Sequence, residues 1–128
     1  MSTSEALATA LSDAVKAHSA WKMRLRRAAT SKEQNLPVDT ICRDDCCKFG
    51  KWLYALPADI RNTADAQKVR ALHADFHKEA GHVAQQINDA QFSTALDYLN
   101  GDSYTNTSRD LTRAVAAWKL NVLVKQSA

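Results

Sequence analysis

Three stretches of this chain set apolar side chains three and four residues apart over several turns, a spacing that long amphipathic helices satisfy and strands do not. From about Ser4 to Ala29 the stripe is Leu7, Leu11, Ala14, His18, Trp21, Leu25 and Ala28. From about Ala64 to Asn88 it is Val69, Leu72 with His73, Phe76 with His77, Ala80, Val83 with Ala84, and Ile87. A last helix, capped by Asp102 or Ser103 and running to about Lys125, carries Tyr104, Thr107, Leu111, Ala114 with Val115, Trp118 and Val122. Between them, Thr30 to Asp45 is polar, contains Pro37 and reads as a loop. A short helix is expected from about Asp45 to Ala55, with Phe49, Trp52, Leu53 and Leu56 near its apolar side and Pro57 stopping it. Asp59 to Thr63 reads as a turn, and a brief helical segment from about Ala90 to Leu99 ends at Asn100-Gly101, a helix-stop signal. The expected fold is all-α: an antiparallel four-helix-type bundle with an additional short helix, one domain over residues 1–128.

Composition supports a single packed domain. With 45% hydrophobic and 24% charged residues, and only 3 Gly and 2 Pro, the chain is ordinary for a globular protein poor in turns. A net charge of +3 is too mild to argue for nucleic acid, and Arg24, Arg26 and Arg27 suit the negative end of the first helix as a solvated face. No apolar run reaches the length of a membrane span, and the Met-Ser-Thr-Ser-Glu start has neither the basic nor the apolar region of a signal peptide. Cys42, Cys46 and Cys47 are odd in number and crowded, which argues against a secreted disulfide framework and for a reducing, cytoplasmic setting.

The histidines are the unusual feature. His18, His73 and His77 fall on or beside the apolar stripes of two long helices, and the four-residue spacing of His73 and His77 lets both rings leave one helix face and converge. A buried imidazole needs a partner for its polar nitrogens; a neighbouring side chain or a metal supplies one, and spacing alone leaves both open. Three imidazoles leave one position free in a tetrahedral zinc shell. Cys47 lies near the start of the short helix, in CKFGKWLY, where the positive helix end is expected to favour its thiolate. Gly50, costly inside a helix by roughly 1 kcal/mol, is expected to serve close packing, and Trp52 is either a roof over the site or plain core.

The string CKFGKWLY resembles the signature of the chemoreceptor zinc-binding (CZB) domain family: Cys, a variable residue, Leu or Phe, Gly, a variable residue, Trp. His18-Ser19-Ala20-Trp21 and LHADFHKEA, with His73 and His77, match its flanking features, so that the resemblance runs from about Leu7 to Val122. The resemblance implies a bundle domain of bacterial cytoplasmic chemoreceptors and diguanylate cyclases that binds Zn2+ through His18, Cys47, His73 and His77. Cys42, Cys46 and His82 have no place in that pattern. It further implies a homodimer, and a sensory role in which zinc availability or oxidation of the zinc-bound cysteine controls chemotaxis or cyclic-di-GMP output. The output domain is not encoded in these 128 residues.

Two other classes fit less well. A di-iron or oxygen-binding bundle needs about five ligands with recurring Glu-x-x-His, whereas Glu5, Glu33 and Glu79 are the only glutamates and form no such set. A histidine phosphotransfer module needs a solvent-facing histidine, and His73 and His77 lie on a core seam. Four protein ligands would close the zinc shell to an activated water, so no catalytic residues are expected, and neither a membrane nor a nucleic acid is expected as a partner.

Overall fold

The computed structural model describes residues 3–127 and the side chains of residues 4–124. Seven helices follow in order: α1 (Thr3–Thr30), α2 (Val38–Ile41), α3 (Lys48–Tyr54), α4 (Ala58–Arg61), α5 (Ala64–Asn88), α6 (Phe92–Leu99) and α7 (Asp102–Ser127). The described residues contain no strand, and none of their helices is long and apolar enough to cross a membrane.

The three long helices form where the stripes place them, and the stripes face one core. Leu11, Val69, Phe76, Val83, Ile87 and Tyr104 are essentially inaccessible, as are the stripe positions Leu25, Leu111 and Trp118. Each such large apolar side chain contributes about 1.5–3 kcal/mol by leaving water. α7 packs along both α1 and α5. It runs opposite to α5, since Asn121 near its end donates to Asp65 near the start of α5 (2.9 Å). α1 and α5 run the same way: the Asn88 side chain at the end of α5 brackets Leu36, six residues beyond α1, through both its N–H (3.0 Å) and its carbonyl (2.9 Å). The fourth bundle position is shared. α6 fills it at one end, where Arg26 reaches Asn100 (3.0 Å), and α3 fills it at the other.

Expectations for three short segments are corrected. The segment read as a loop contains α2, and α4 covers Ala58 and the first part of the segment read as a turn; each helix is a single turn with a proline (Pro37, Pro57) at its N-cap. Proline presets a helical φ for the start of a helix, and one turn is too short to show a period. α3 begins at Lys48 rather than Asp45, because Cys47 is its N-cap and accepts the Gly50 N–H on its sulfur (3.2 Å). α5 begins behind Thr63, whose hydroxyl accepts the Ala66 N–H. α1 and α5 both end through a non-glycine residue in the left-handed region, Lys32 (φ 58°) and Ala90 (φ 61°). There the next N–H bonds five residues back, Glu33 to Ala28 and Gln91 to Gln86, the Schellman closure usually built on glycine.

Candidate metal centre

His18 projects from the middle of α1, His73 and His77 from one face of α5, and Cys47 from the N-cap of α3. The three rings are buried, with at most 7% of any residue exposed, and Cys47 is half-buried. Their donor atoms converge: each residue offers one ligand atom, and all four lie within 4.8 Å of one another. His73 Nε2 is 2.9 Å from His18 Nε2 and 3.1 Å from His77 Nε2, and the last two are 3.4 Å apart. Cys47 Sγ is 3.3 Å from His73 Nε2 and 3.9 Å from His18 Nε2. A tetrahedral zinc with ordinary bond lengths would set its nitrogens about 3.3 Å apart and sulfur about 3.6 Å from each nitrogen. The nitrogen separations and the two sulfur contacts fall around these values, and the remaining pair, Cys47 and His77, lies within 4.8 Å.

The hydrogen bonds behind the rings sharpen the fit. His18 Nδ1 donates to the Ala14 carbonyl (2.7 Å) and His77 Nδ1 to the Ile41 carbonyl (2.8 Å). A carbonyl can only accept, so in both rings the proton sits on Nδ1 and Nε2 turns a lone pair inward. Two acceptors then face each other across a buried gap: His73 can offer a proton to only one of them, and the other possible donor is the Cys47 thiol, 3.9 Å from His18 Nε2. A cation among the three nitrogens satisfies them all, and backbone carbonyls behind the rings are the usual outer shell of histidine-held metals. His73 has no such support, since its Nδ1 is buried without a partner among the described residues.

Burial also sets the protonation states. It pushes His18 down to about 4, partly opposed by the Ala14 carbonyl, and it pushes His73 to about 3 with help from His18 and His77. His77 is lowered by the same desolvation. The rings are therefore neutral at pH 7, as metal ligands must be. Cys47 departs from expectation: burial raises its thiol above the ordinary range, outweighing the Gly50 N–H that favours the thiolate. The positive helix end alone does not ionise it, because a half-buried sulfur loses more hydration than the main-chain amides of Gly50, Phe49 and Cys47 restore.

Gly50 has the packing role expected of it, but toward a loop as well as a helix. A Cβ there would lie 1.6 Å from the Asp44 carbonyl oxygen and 3.2 Å from His73 Cε1. Phe49, not Trp52, lines the centre, its ring edge-on to His18 (5.8 Å) and His73 (5.2 Å). Trp52 stacks behind Phe49 (5.5 Å) and leans on Trp118 (5.9 Å). Cys42, Cys46 and His82 stand outside the cluster. Cys42 turns to the Asp39 carbonyl, Cys46 to Asp45, and His82 is exposed beside Tyr98 and Gln86. Sequence reasoning missed Ala14 and Ile41, which act through main-chain carbonyls and so leave no residue-type signal.

A search of curated proteins and one of solved structures returned no match to the chain. The family model described as the chemoreceptor zinc-binding domain matches residues 18–84, a span that opens on His18 and takes in Cys47, His73 and His77. On that match, over half of its length, and on a donor cluster suited to zinc, the chain belongs to the chemoreceptor zinc-binding domain family and is a zinc-binding helical bundle.

Proposed function

We propose that His18, Cys47, His73 and His77 hold one zinc ion in a closed four-ligand shell, and that the domain is a cytoplasmic sensor. The observation that carries this is the meeting of two inward lone pairs, a third imidazole and a sulfur in a buried gap with tetrahedral spacings. Bound zinc would supply a tether between α3 and the long helices and a charge that favours the Cys47 thiolate. The proposed role is not catalytic. Four donors leave no position on the ion for an activated water. Purified protein should carry one zinc per chain by elemental analysis. His18→Ala, His73→Ala and His77→Ala should each lose it, and His82→Ala should keep it. Iron in place of zinc, or zinc retained by the His73/His77 double variant, refutes the assignment.

The signal in this reading is zinc availability or oxidation at Cys47, the one ligand that a mild oxidant attacks. With hypochlorous acid the thiolate sulfur takes up OH and chloride leaves, giving a sulfenic acid that no longer serves as the fourth ligand. α3, two turns long, then loses its tether while α1 and α5 stay packed. Mass spectrometry after limiting oxidant should find Cys47 modified before Cys42 or Cys46; the reverse order leaves zinc itself as the signal. The output would be chemotaxis or cyclic-di-GMP turnover, through a receptor or cyclase domain. A homodimer completes the reading, supported by Leu120 and Val124, 61% and 58% exposed on the outward side of α7.

A further inference from the structure

The segment between α1 and α3 is a strap fastened to α5 at several points. The Asn88 side chain brackets Leu36, and Gln34 bonds the Asn88 carbonyl (3.3 Å). Ile41 is buried, and its carbonyl holds His77 Nδ1 (2.8 Å). Cys42, next along, rests on Gly81, one helical turn beyond His77. A Cβ at Gly81 would lie 2.5 Å from Cys42 Cβ, 2.9 Å from its Cα and 3.3 Å from its N. Those are main-chain atoms and the first side-chain atom, so no rotamer change relieves the clash; the strap itself must rise.

We propose that Gly81 is a positioning residue for the zinc site: its bare Cα lets the strap lie close enough to α5 for the Ile41 carbonyl to hold His77 Nδ1–H, which keeps His77 Nε2 free for the metal. This rests on the reading of His77 as a ligand. Lifting the strap to ordinary van der Waals distance moves the Ile41 carbonyl beyond hydrogen-bond reach. The His77 proton is then left buried without an acceptor, and the ring gains by moving it to Nε2, where it can bond His73 or His18. That tautomer cannot bind the metal through Nε2. Nothing at Gly81 touches the metal; it acts through the strap and one carbonyl.

The test uses the chelator-treated full chain at pH 7.5, with ring tautomers read from long-range proton–nitrogen NMR correlations and zinc affinity from competition with a chromophoric chelator. Wild type should show His77 as the Nδ1–H form. Gly81→Ala should shift it toward Nε2–H and weaken zinc binding about 10- to 100-fold, the usual effect of losing an outer-shell partner. Cys42→Gly in the Gly81→Ala background removes the facing Cβ and should restore part of both readouts. Leu99→Ala, a core variant on α6, should lose stability and change neither. Asn88→Ala, which frees the far end of the strap, should shift both in the same direction by less, and it carries the test if Gly81→Ala does not fold. An unchanged tautomer in Gly81→Ala, or in Asn88→Ala where that variant must stand alone, overturns the proposal, as does an equal shift in Leu99→Ala. If His77→Ala binds zinc like wild type, the ligand assignment falls instead, while the metal-free tautomer still decides the role of Gly81.

Discussion

Acid should unfold the metal-free protein through its buried histidines, and His18 sets a scale for the effect. Its folded pKa lies at about 4 against an ordinary 6.5. A depressed pKa means that the stability is fully present above pH 6.5 and is lost as pH falls, because the unfolded chain takes up a proton that the folded ring refuses. Each pH unit in that window costs about 1.4 kcal/mol, so His18 alone accounts for about 3 kcal/mol by pH 4. His73, pushed to about 3, and His77, lowered in the same direction, add to the loss. Against a total stability of roughly 5–15 kcal/mol, this is enough to bring the domain to its unfolding transition in mild acid. Urea melts followed by far-ultraviolet circular dichroism in chelator, at pH 7.0, 6.0, 5.0 and 4.5, measure the slope. His18→Leu should flatten it by about one proton's worth. Saturating zinc should move the loss to lower pH, since metal and protons compete for the same lone pairs. Equal slopes in wild type and His18→Leu would refute the argument.

Gly50→Ala gains roughly 1 kcal/mol of helix propensity but forces a methyl group into the Asp44 carbonyl. Overpacking of that kind costs about 1–3 kcal/mol, so a lower Tm and weaker zinc binding are expected, and a rise in Tm would refute the packing role. Ala90→Gly and Lys32→Gly relieve left-handed backbone at two helix ends and should each stabilise the fold by about 0.5–1 kcal/mol in thermal melts; a fall in Tm at both would refute the assigned backbone conformation. Leu120→Glu combined with Val124→Glu should turn the proposed dimer into a monomer by light scattering, and a wild type that is monomeric across the micromolar range removes the dimer altogether.

The sequence carried the long elements and the donor set because both write themselves in side chains. Periodic leucines, valines and phenylalanines locate α1, α5 and α7, and a four-spaced histidine pair on such a stripe can meet a third ring only inside the core. What it carried poorly is made of main chain. The carbonyls of Ala14 and Ile41 that orient two rings have no residue identity to recognise. α2 and α4 are single turns without a period, begun by prolines that elsewhere end helices. Lys32 and Ala90 occupy positions where glycine or asparagine is the usual signal. The Cys47 thiol failed for a different reason, being a balance of burial against main-chain N–H groups that no motif records.

The carbonyls behind His18 and His77 also fix the proton traffic of metal uptake. Both rings are neutral at pH 7 and already carry their proton on the nitrogen facing away from the cluster, and His73 is neutral as well. The imidazoles therefore have nothing to shed. Cys47 is still a thiol before metal arrives, so its proton is the one displaced. Calorimetric titration with zinc in buffers of different ionisation enthalpy should report about one proton released per ion at neutral pH, and about none when Cys47 is replaced by serine. As pH falls through 6, His18 and His73 should add nothing to that count, because burial holds them at about 4 and about 3.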